Sequence, residues 1–343
     1  MTQNASRKNW QYDFLRVIGM LSVMLFHYTA QYSKTVQQTA FAVFFSQGVS
    51  TFAVTMFFLM NGSLSYRSLK DDELSSLHYL KKRAVRLVPT YWLCLTVTSI
   101  VLTMTGTSVV SPKQFLLNAI LANRVFKVPF VDGVYWYLLI LLVFTVFITV
   151  AKWLRTPGRK KTLFILYGVA FLGFGLYNRV LHPFPEILAF ALFQYLNKCL
   201  VGVAFGCLLY EWRSLCRRER LEVVLYIAAL LFGEFFWFDE RKVLAEMAGF
   251  AVFAMVLCFG GRLQLGPSAE SFLGKIAGES YYVYLIHQQI GFVIIKCLIS
   301  LKVNCDLAVL LTIGIIFISA CLHHFLAEWF EPVRKKMLGN ARS

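Results

Sequence analysis

The chain has 343 residues, of which 58% are hydrophobic and only 15% are charged, and this balance excludes an ordinary water-soluble protein. Its formal net charge is +16, which in a soluble protein would suggest nucleic-acid binding. Here the basic residues lie in short clusters between long apolar stretches. We therefore predict an all-α, polytopic bundle that lies in the lipid bilayer and binds no nucleic acid.

Ten apolar stretches are long enough to cross about 30 Å of hydrocarbon as helices. The first contains the N-terminal apolar run, which lacks a small-residue cleavage site, so we predict a retained membrane span there. We expect all ten spans to form a single integral-membrane domain over residues 1–343. They lie near 13–32, 41–64, 87–105, 134–153, 163–178, 187–210, 221–238, 243–260, 281–301 and 307–327.

The distribution of basic residues predicts the orientation of these spans. With the N-terminus inside, the segments assigned to the cytoplasm hold 23 Lys or Arg residues and the opposite loops hold 8. Cytoplasmic loops of membrane proteins are enriched in Lys and Arg, so this split favours ten spans with both termini cytoplasmic. Eight cysteines are present, most of them in apolar runs, without the spacing of a zinc site. We predict no metal site.

The first predicted span carries three ionisable residues, Asp13, Arg16 and His27. Asp13 and Arg16 are three residues apart and can pair on one helical face. Arg16 and His27 are eleven apart, which places them on one face about 16 Å apart along the axis. Ionisable groups inside a span mark functional sites by default. The alternative is a snorkelling arginine with a core histidine bonded to another helix.

Five segments in chain order resemble the bacterial integral-membrane acyltransferase family three. YDFLRVIGMLSVMLFHY carries the family's Arg, ten residues and His on the first span, and TMFFLMNGSLSY resembles its second span, with Asn61 where Ser is usual. VYWYLLILLVF resembles the Trp-centred fourth span through Trp136, although the acid that many members carry after it is missing. KKRAVRLVPTYW and ESYYVYLIHQQI match through Arg83, Arg86, Pro89, Tyr91 and Trp92, and through Ser280, Tyr281, Tyr284, Leu285 and His287.

The resemblance covers residues from about 10 to 335 and implies a function. Members of the family O-acylate surface polysaccharides and related glycans, so we expect a multi-pass protein of the bacterial cytoplasmic membrane. The donor substrate would be cytoplasmic acetyl-CoA or another acyl-CoA, with no permanently bound cofactor. The acceptor would be a hydroxyl of a glycan or lipid-linked saccharide on the outer side.

Acyl transfer needs a base for the acceptor hydroxyl and cations for the donor phosphates. We predict His27 as general base, grouped with Asp13 as candidate catalytic residues, because an imidazole titrates near working pH. Direct transfer and an acyl-histidine intermediate both remain open. Arg16, Arg83, Arg86 and His287 are the candidate donor-binding residues. The candidate pocket or acceptor residues are Asn61, Tyr91, Trp136, Lys198, Ser280 and Tyr284.

Two alternative functions compete with this interpretation. A secondary transporter or flippase would use the intramembrane Asp13, Arg16, His27 and Lys198 as a proton or substrate path, but the chain lacks a visible repeat. A scaffold for other membrane enzymes would use the same charges as internal braces. Glu234 and Glu246, in the seventh and eighth predicted spans, could contact an acceptor or snorkel, and snorkelling is the commoner explanation.

Overall fold

The computed structural model describes residues 10–32, 47–181, 188–237, 240–260 and 265–338. Within these residues the regular structure is helical and contains no strand, which confirms the prediction of an all-α protein. A helical chain satisfies its own backbone hydrogen bonds, as a lipid environment requires.

Twelve α-helices are present in the described part of the chain. In order they are α1 Trp10–Phe26, α2 Gln47–Lys70, α3 Ser76–Met104, α4 Pro112–Ala119, α5 Trp136–Trp153, α6 Pro157–Leu181, α7 Leu188–Glu211, α8 Arg217–Trp237, α9 Glu240–Phe259, α10 Pro267–Gly278, α11 Ser280–Ser300 and α12 Cys305–Leu338. Helix α1 continues into a π-helical segment, His27–Gln31, and a 3₁₀ turn, Gly133–Tyr135, precedes α5.

Each of the ten predicted spans overlaps one of these helices. Residues 41–46 and 187, at the starts of two predicted spans, and residue 238, at the end of another, lie outside the described residues. The short helices α4 and α10 lie in segments that the sequence assigned to connections. By length and composition, five helices in the described part of the chain can cross a membrane. They are Ser76–Met104, Gly133–Trp153, Pro157–Tyr177, Ser280–Ser300 and Cys305–Phe325.

The long helices expose large apolar side chains along their outer surfaces. Ile100 on α3, Phe232 on α8 and Ile318 on α12 are 51%, 61% and 71% exposed. In water such surfaces would be costly to hydrate, whereas a hydrocarbon environment accepts them. This pattern agrees with a membrane bundle.

The described residues divide into two compact units. The first is drawn from Met1–Val54, Val85–Trp136 and Ala251–Ser343, and the second from Thr55–Ala84 and Tyr137–Phe250. In the first unit α1 packs on α10 and α11, and α11 packs on α12. The buried stripe of α1 recurs every three or four residues, as an amphipathic helix requires. It comprises Tyr12, Leu15, Gly19 and Val23, and Met20 and Met24 are buried beside it.

The second unit packs α8 against α6 and α7. Its α7 also passes very close to the part of α2 that belongs to this unit. A Cβ added to Gly206 would lie 2.8 Å from the carbonyl oxygen of Ser63, and one added to Gly202 would collide with the carbonyl oxygen of Leu59. Small residues at such crossings let helix backbones approach in membranes.

The second unit also holds a buried charge cluster, which we call the Lys198 cluster (Lys198 on α7, Glu234 on α8 and Glu246 on α9). The Lys198 Nζ atom lies 2.8 Å from a Glu246 carboxylate oxygen and 3.7 Å from one of Glu234. Both carboxylates are buried, at 0% and 2% exposed. The interpretation of Glu234 and Glu246 as snorkelling residues is therefore wrong, because they turn inward toward a cation.

Candidate active site

Helix α1 ends in the π-helical turn His27–Gln31, which contains His27, the predicted general base. The backbone N–H of Tyr32 donates to the carbonyl oxygen of His27, five residues earlier, as in a π-helix. Single π turns within α-helices occur frequently at functional sites. The extra residue in this turn places His27 and Gln31 on the wall of one cavity.

The side chains of His27 and Gln31 are hydrogen-bonded to each other. The ring Nδ1 of His27 contacts the amide oxygen Oε1 of Gln31. An amide oxygen carries no proton, so the Nδ1–H group donates and the lone pair of the ring is left on Nε2. The Nε2 atom of His27 therefore keeps its lone pair and is not bonded to Gln31.

A second imidazole, His287 on α11, lies against His27. The ring centroids are 5.0 Å apart, and the planes are inclined at 60°. Nδ1 of His287 lies 2.7 Å from the carbonyl oxygen of Tyr284, so it also donates. Tyr28 of the π turn donates its hydroxyl to the carbonyl oxygen of His287 at 2.7 Å. His287 is fully buried, and its Nε2 atom has no hydrogen-bond partner among the described residues.

A cavity of about 420 Å³ opens beside these groups in the first unit. Its walls combine apolar side chains with a few polar atoms, a composition typical of small-molecule sites. The lining residues are Val23, Phe26, His27, Gln31, Ser50, Val54, Trp136 and Tyr284. The cavity thus joins three of the predicted site residues, His27, Trp136 and Tyr284.

Asp132 links the start of α5 to α11. Its carboxylate accepts the backbone N–H of Val134 and that of Gln289, both at 3.1 Å. Tyr284 adds a second link by donating its hydroxyl to the carbonyl oxygen of Val134 at 3.3 Å. Burial raises the pKa of Asp132 to about 7, although both backbone hydrogen bonds act in the opposite direction. These contacts fix Trp136 relative to the His287 helix.

Asp13 and Arg16 form the predicted ion pair, with 2.8 Å between the Oδ1 and Nη1 atoms. With a rise of 1.5 Å per residue, Asp13 lies about 21 Å from His27 along α1. Asp13 therefore contacts Arg16 and not the imidazole. Neither residue lines the cavity.

The other predicted site residues of the first unit lie outside the cavity wall. Arg86 is exposed on α3. Tyr91 is buried and donates its hydroxyl to the carbonyl oxygen of Asn118 at 2.6 Å, which ties α3 to α4. Ser280 begins α11, and its neighbour Tyr281 donates to the carbonyl oxygen of Leu87 at 3.1 Å.

Three predicted site residues belong to the second unit. Asn61 donates its amide to the carbonyl oxygen of Phe57 and to the hydroxyl of Tyr137, at 2.9 and 3.0 Å. Arg83 donates to the hydroxyls of Ser65 and Tyr79 at 2.7 and 3.3 Å. Lys198 is only 1% exposed and lies within the Lys198 cluster.

Sequence reasoning missed three polar groups around the histidines: Gln31, Asp132 and Tyr28. Gln31 is four residues after His27, a spacing that would have suggested a side-chain pair on one helical face. Asp132 precedes a helical segment, where aspartate commonly caps the first N–H groups. Nothing in the sequence indicated that the hydroxyl of Tyr28 bonds the other histidine segment, because its partner His287 is 259 residues away.

Comparison with known proteins adds an independent finding. The sequence profile of the acyltransferase domain of acyltransferase family 3 matches residues 9–324. No curated protein and no solved structure matches the chain. The matched region covers nearly the whole sequence and includes both histidines, the cavity and the Arg16–Asp13 pair. The chain therefore belongs to acyltransferase family 3 and is a membrane acyltransferase.

Proposed function

We propose that the protein transfers an acyl group, most simply acetyl, from cytoplasmic acyl-CoA to a hydroxyl of a glycan or lipid-linked saccharide on the outer side. The observation that carries this proposal is the position of His27 on the wall of the cavity, with Nδ1 and not Nε2 bonded to Gln31. A base positioned within reach of a hydroxyl is the central requirement of O-acylation.

The reaction can be written as a direct transfer. The acceptor oxygen attacks the carbonyl carbon of the thioester while Nε2 of His27 takes the hydroxyl proton. The carbon–sulfur bond then breaks, and the thiolate leaving group recovers that proton from His27. Direct transfer needs no covalent enzyme intermediate, since a well-positioned oxygen nucleophile needs only a base.

The developing negative charge on the thioester oxygen needs a hydrogen-bond donor. Two of the residues that line the cavity carry hydrogen-bond donors for this purpose: Ser50 has a hydroxyl and Trp136 has an indole N–H. We assign oxyanion stabilisation to this group. The apolar wall of Val23, Phe26 and Val54 would exclude water from the reacting atoms.

Arginines suit the phosphates of the donor, because a guanidinium binds two oxygens at once. Arg16 and Arg86 of the first unit have this function in the proposal, with Asp13 orienting Arg16 through their ion pair. His287, for which the sequence suggested donor binding, lies against His27, the proposed base. Its place in the proposal is therefore at the reacting centre.

The role of Arg16 is tested by its kinetic signature. Arg16→Ala should raise KM for acyl-CoA more than it lowers kcat, because it removes donor binding and leaves the base in place. Arg16→Lys should rescue poorly if the contact is bidentate. Full rescue by Lys, or a selective loss of kcat in Arg16→Ala, would assign Arg16 another function.

The direction of transfer can be measured in sealed proteoliposomes that contain the full chain. Acyl-CoA labelled in its acyl group is added on one side and a soluble oligosaccharide acceptor is enclosed on the other. The proposal predicts labelled ester on the oligosaccharide in liposomes with the cytoplasmic face outward. Counterflow of unmodified oligosaccharide without ester formation would favour a transporter and contradict the proposal.

A further inference from the structure

Gln31 is the hydrogen-bond partner of His27 Nδ1, and the kind of partner decides which form of the imidazole is stable. An imidazole has two tautomers, and only one of them leaves the lone pair on Nε2. Free imidazole side chains exchange between the two, so a particular partner is required to hold one of them. Gln31 supplies that partner as the oxygen atom of its side-chain amide.

The amide of Gln31 is itself oriented by a group on another helix. The Nε2 atom of Gln288 on α11 donates to Oε1 of Gln31 at 3.5 Å, and this is the same oxygen that His27 contacts. A donor on each side keeps the oxygen end of the amide between them. Gln288 is itself 6% exposed and packs against Gly133, where an added Cβ would lie 2.9 Å from its Oε1 atom.

Hydrogen bonds to the backbone hold the two segments that carry Gln31 and Gln288. The π turn is closed by the Tyr32 N–H to His27 carbonyl bond, and Tyr28 bonds the carbonyl oxygen of His287 at 2.7 Å. Gln288 follows His287 directly on α11, and the next residue, Gln289, donates its N–H to Asp132. Gln31 and Gln288 therefore meet through two anchored backbone segments.

We propose, building on the proposed function, that Gln31 is a positioning residue that holds His27 in the Nδ1-protonated tautomer and keeps Nε2 available as the base. Gln288 supports it by orienting the Gln31 amide. Gln31 acts through His27, so its loss removes competent base and leaves the binding of the donor unchanged.

The test compares substitutions that keep or remove the accepting oxygen. Gln31→Met has nearly the same length and no acceptor, whereas Gln31→Glu keeps an oxygen at the same position. Gln31→Met should lower kcat about 10- to 100-fold, up to the size of a general-base contribution, with KM for acyl-CoA unchanged. Gln31→Glu should keep kcat close to that of the unsubstituted protein.

The tautomer is read directly by two-bond ¹H–¹⁵N correlation spectra of the full chain labelled on its 6 histidines. The His27 signals are identified by their loss in His27→Gln. They should report Nδ1–H in the unsubstituted protein and in Gln31→Glu, and a shift toward Nε2–H in Gln31→Met. Gln288→Met should give a smaller shift in the same direction, which provides a second variant if Gln31→Met does not fold.

The matched control is Thr29→Val in the same π turn. Thr29 is buried, and its hydroxyl donates to the carbonyl oxygen of Leu25 in α1 and to no other group among the described residues. Val has nearly the same shape. This variant should keep both the tautomer and kcat. A loss equal to that of Gln31→Met would mean that general disturbance of the turn explains the effect, and would overturn the proposal.

Failure of this inference differs from failure of the proposed function. If Gln31→Met leaves His27 as Nδ1–H, or changes only KM, Gln31 is not a positioning residue even though His27 can still be the base. If His27→Ala keeps full turnover, the proposed function fails, and the tautomer measured in the resting protein is unaffected.

Discussion

At the scale of single residues, the contact between Tyr28 and Gly291 decides how closely the π turn approaches α11. A Cβ added to Gly291 would collide with the ring and hydroxyl of Tyr28. Tyr28 is fully buried, and its hydroxyl holds the carbonyl oxygen of His287. The absence of a side chain at position 291 therefore allows the two histidine segments to lie together.

Gly291→Ala should displace Tyr28 and break its bond to His287. We expect the free energy of unfolding to fall by about 1–3 kcal/mol, as overpacking of a tight contact typically costs. We also expect kcat to fall, because His287 would move relative to His27. Thermal unfolding in detergent and acyl-transfer rates measure the two effects.

The control is Gly314→Ala on α12, where an added Cβ would meet nothing within 4 Å. Since alanine favours a helix over glycine by about 0.8–1.0 kcal/mol, this variant should be as stable as the unsubstituted protein or more so. Equal losses in both variants would show that the Tyr28 contact does not explain the result.

The individual site residues could be predicted only where the sequence carried a motif. His27 and His287 came from the matched segments, and Asp13 and Arg16 from their spacing. Gln31 was missed because an amide in a span has many possible partners and the π turn that orients it left no mark in the sequence. Its partner Gln288 is 257 residues away along the chain.

At the scale of helices, the Lys198 cluster joins α7, α8 and α9 through charges that are buried in the second unit. Asn197 adds a hydrogen bond from its amide to Glu234. Removing one member of a buried ion pair leaves the others uncompensated, whereas replacing all members by apolar residues is often tolerated.

Lys198→Met should therefore lower the free energy of unfolding by about 3–5 kcal/mol. The triple variant Lys198→Met, Glu234→Leu and Glu246→Leu should recover most of that loss, because it leaves no buried charge. Thermal unfolding of the purified proteins measures both. A triple variant less stable than the single one would show that the cluster supplies net stability.

The carboxyl group of Asp132, which links the start of α5 to α11, should make the stability of the protein depend on pH. Its pKa is about 7 in the folded protein, above the ordinary value of about 3.9. The folded protein therefore binds the proton more tightly than the unfolded chain does. This contribution to stability is fully present below about pH 4 and is lost as the pH rises through about 7.

Asp132→Asn removes that titration. The unsubstituted protein should lose stability relative to the variant between pH 4 and pH 7, as measured by the difference between their unfolding temperatures. A difference that stays constant across this range would show that Asp132 is ionised throughout in the folded protein.

Helix positions were largely predictable, because lipid imposes length and apolarity on each span. The limits of the prediction appear at α4, α10 and the 3₁₀ turn before α5, which are too short to leave a hydropathy signal. They also appear at Glu234 and Glu246, for which snorkelling was the commoner explanation. The sequence does not show that α7 brings a lysine to them.

At the scale of the whole molecule, the predicted orientation rests on the distribution of basic residues and can be measured with two native cysteines. Cys216 lies in the connection between α7 and α8 and is exposed, and Cys305 begins α12 and is half-buried. The predicted topology places Cys216 in the cytoplasm and Cys305 on the outer side.

Variants that keep only one of these cysteines should differ in reactivity toward a membrane-impermeant maleimide. In intact cells Cys305 should react and Cys216 should not, and opening the membrane should make Cys216 reactive. A protein without either cysteine controls for background labelling. Reaction of Cys216 in intact cells would contradict the assignment of a cytoplasmic C-terminus and of the donor side.

The proposed function of the whole molecule depends on one proton transfer, and its most direct test is the turnover of His27→Ala at saturating acyl-CoA. The full chain in detergent, with labelled donor and an excess of acceptor, should lose about 100-fold or more in kcat, while His78→Ala in the first turns of α3 keeps normal turnover. Normal kcat in His27→Ala, with ester still formed, would contradict the account.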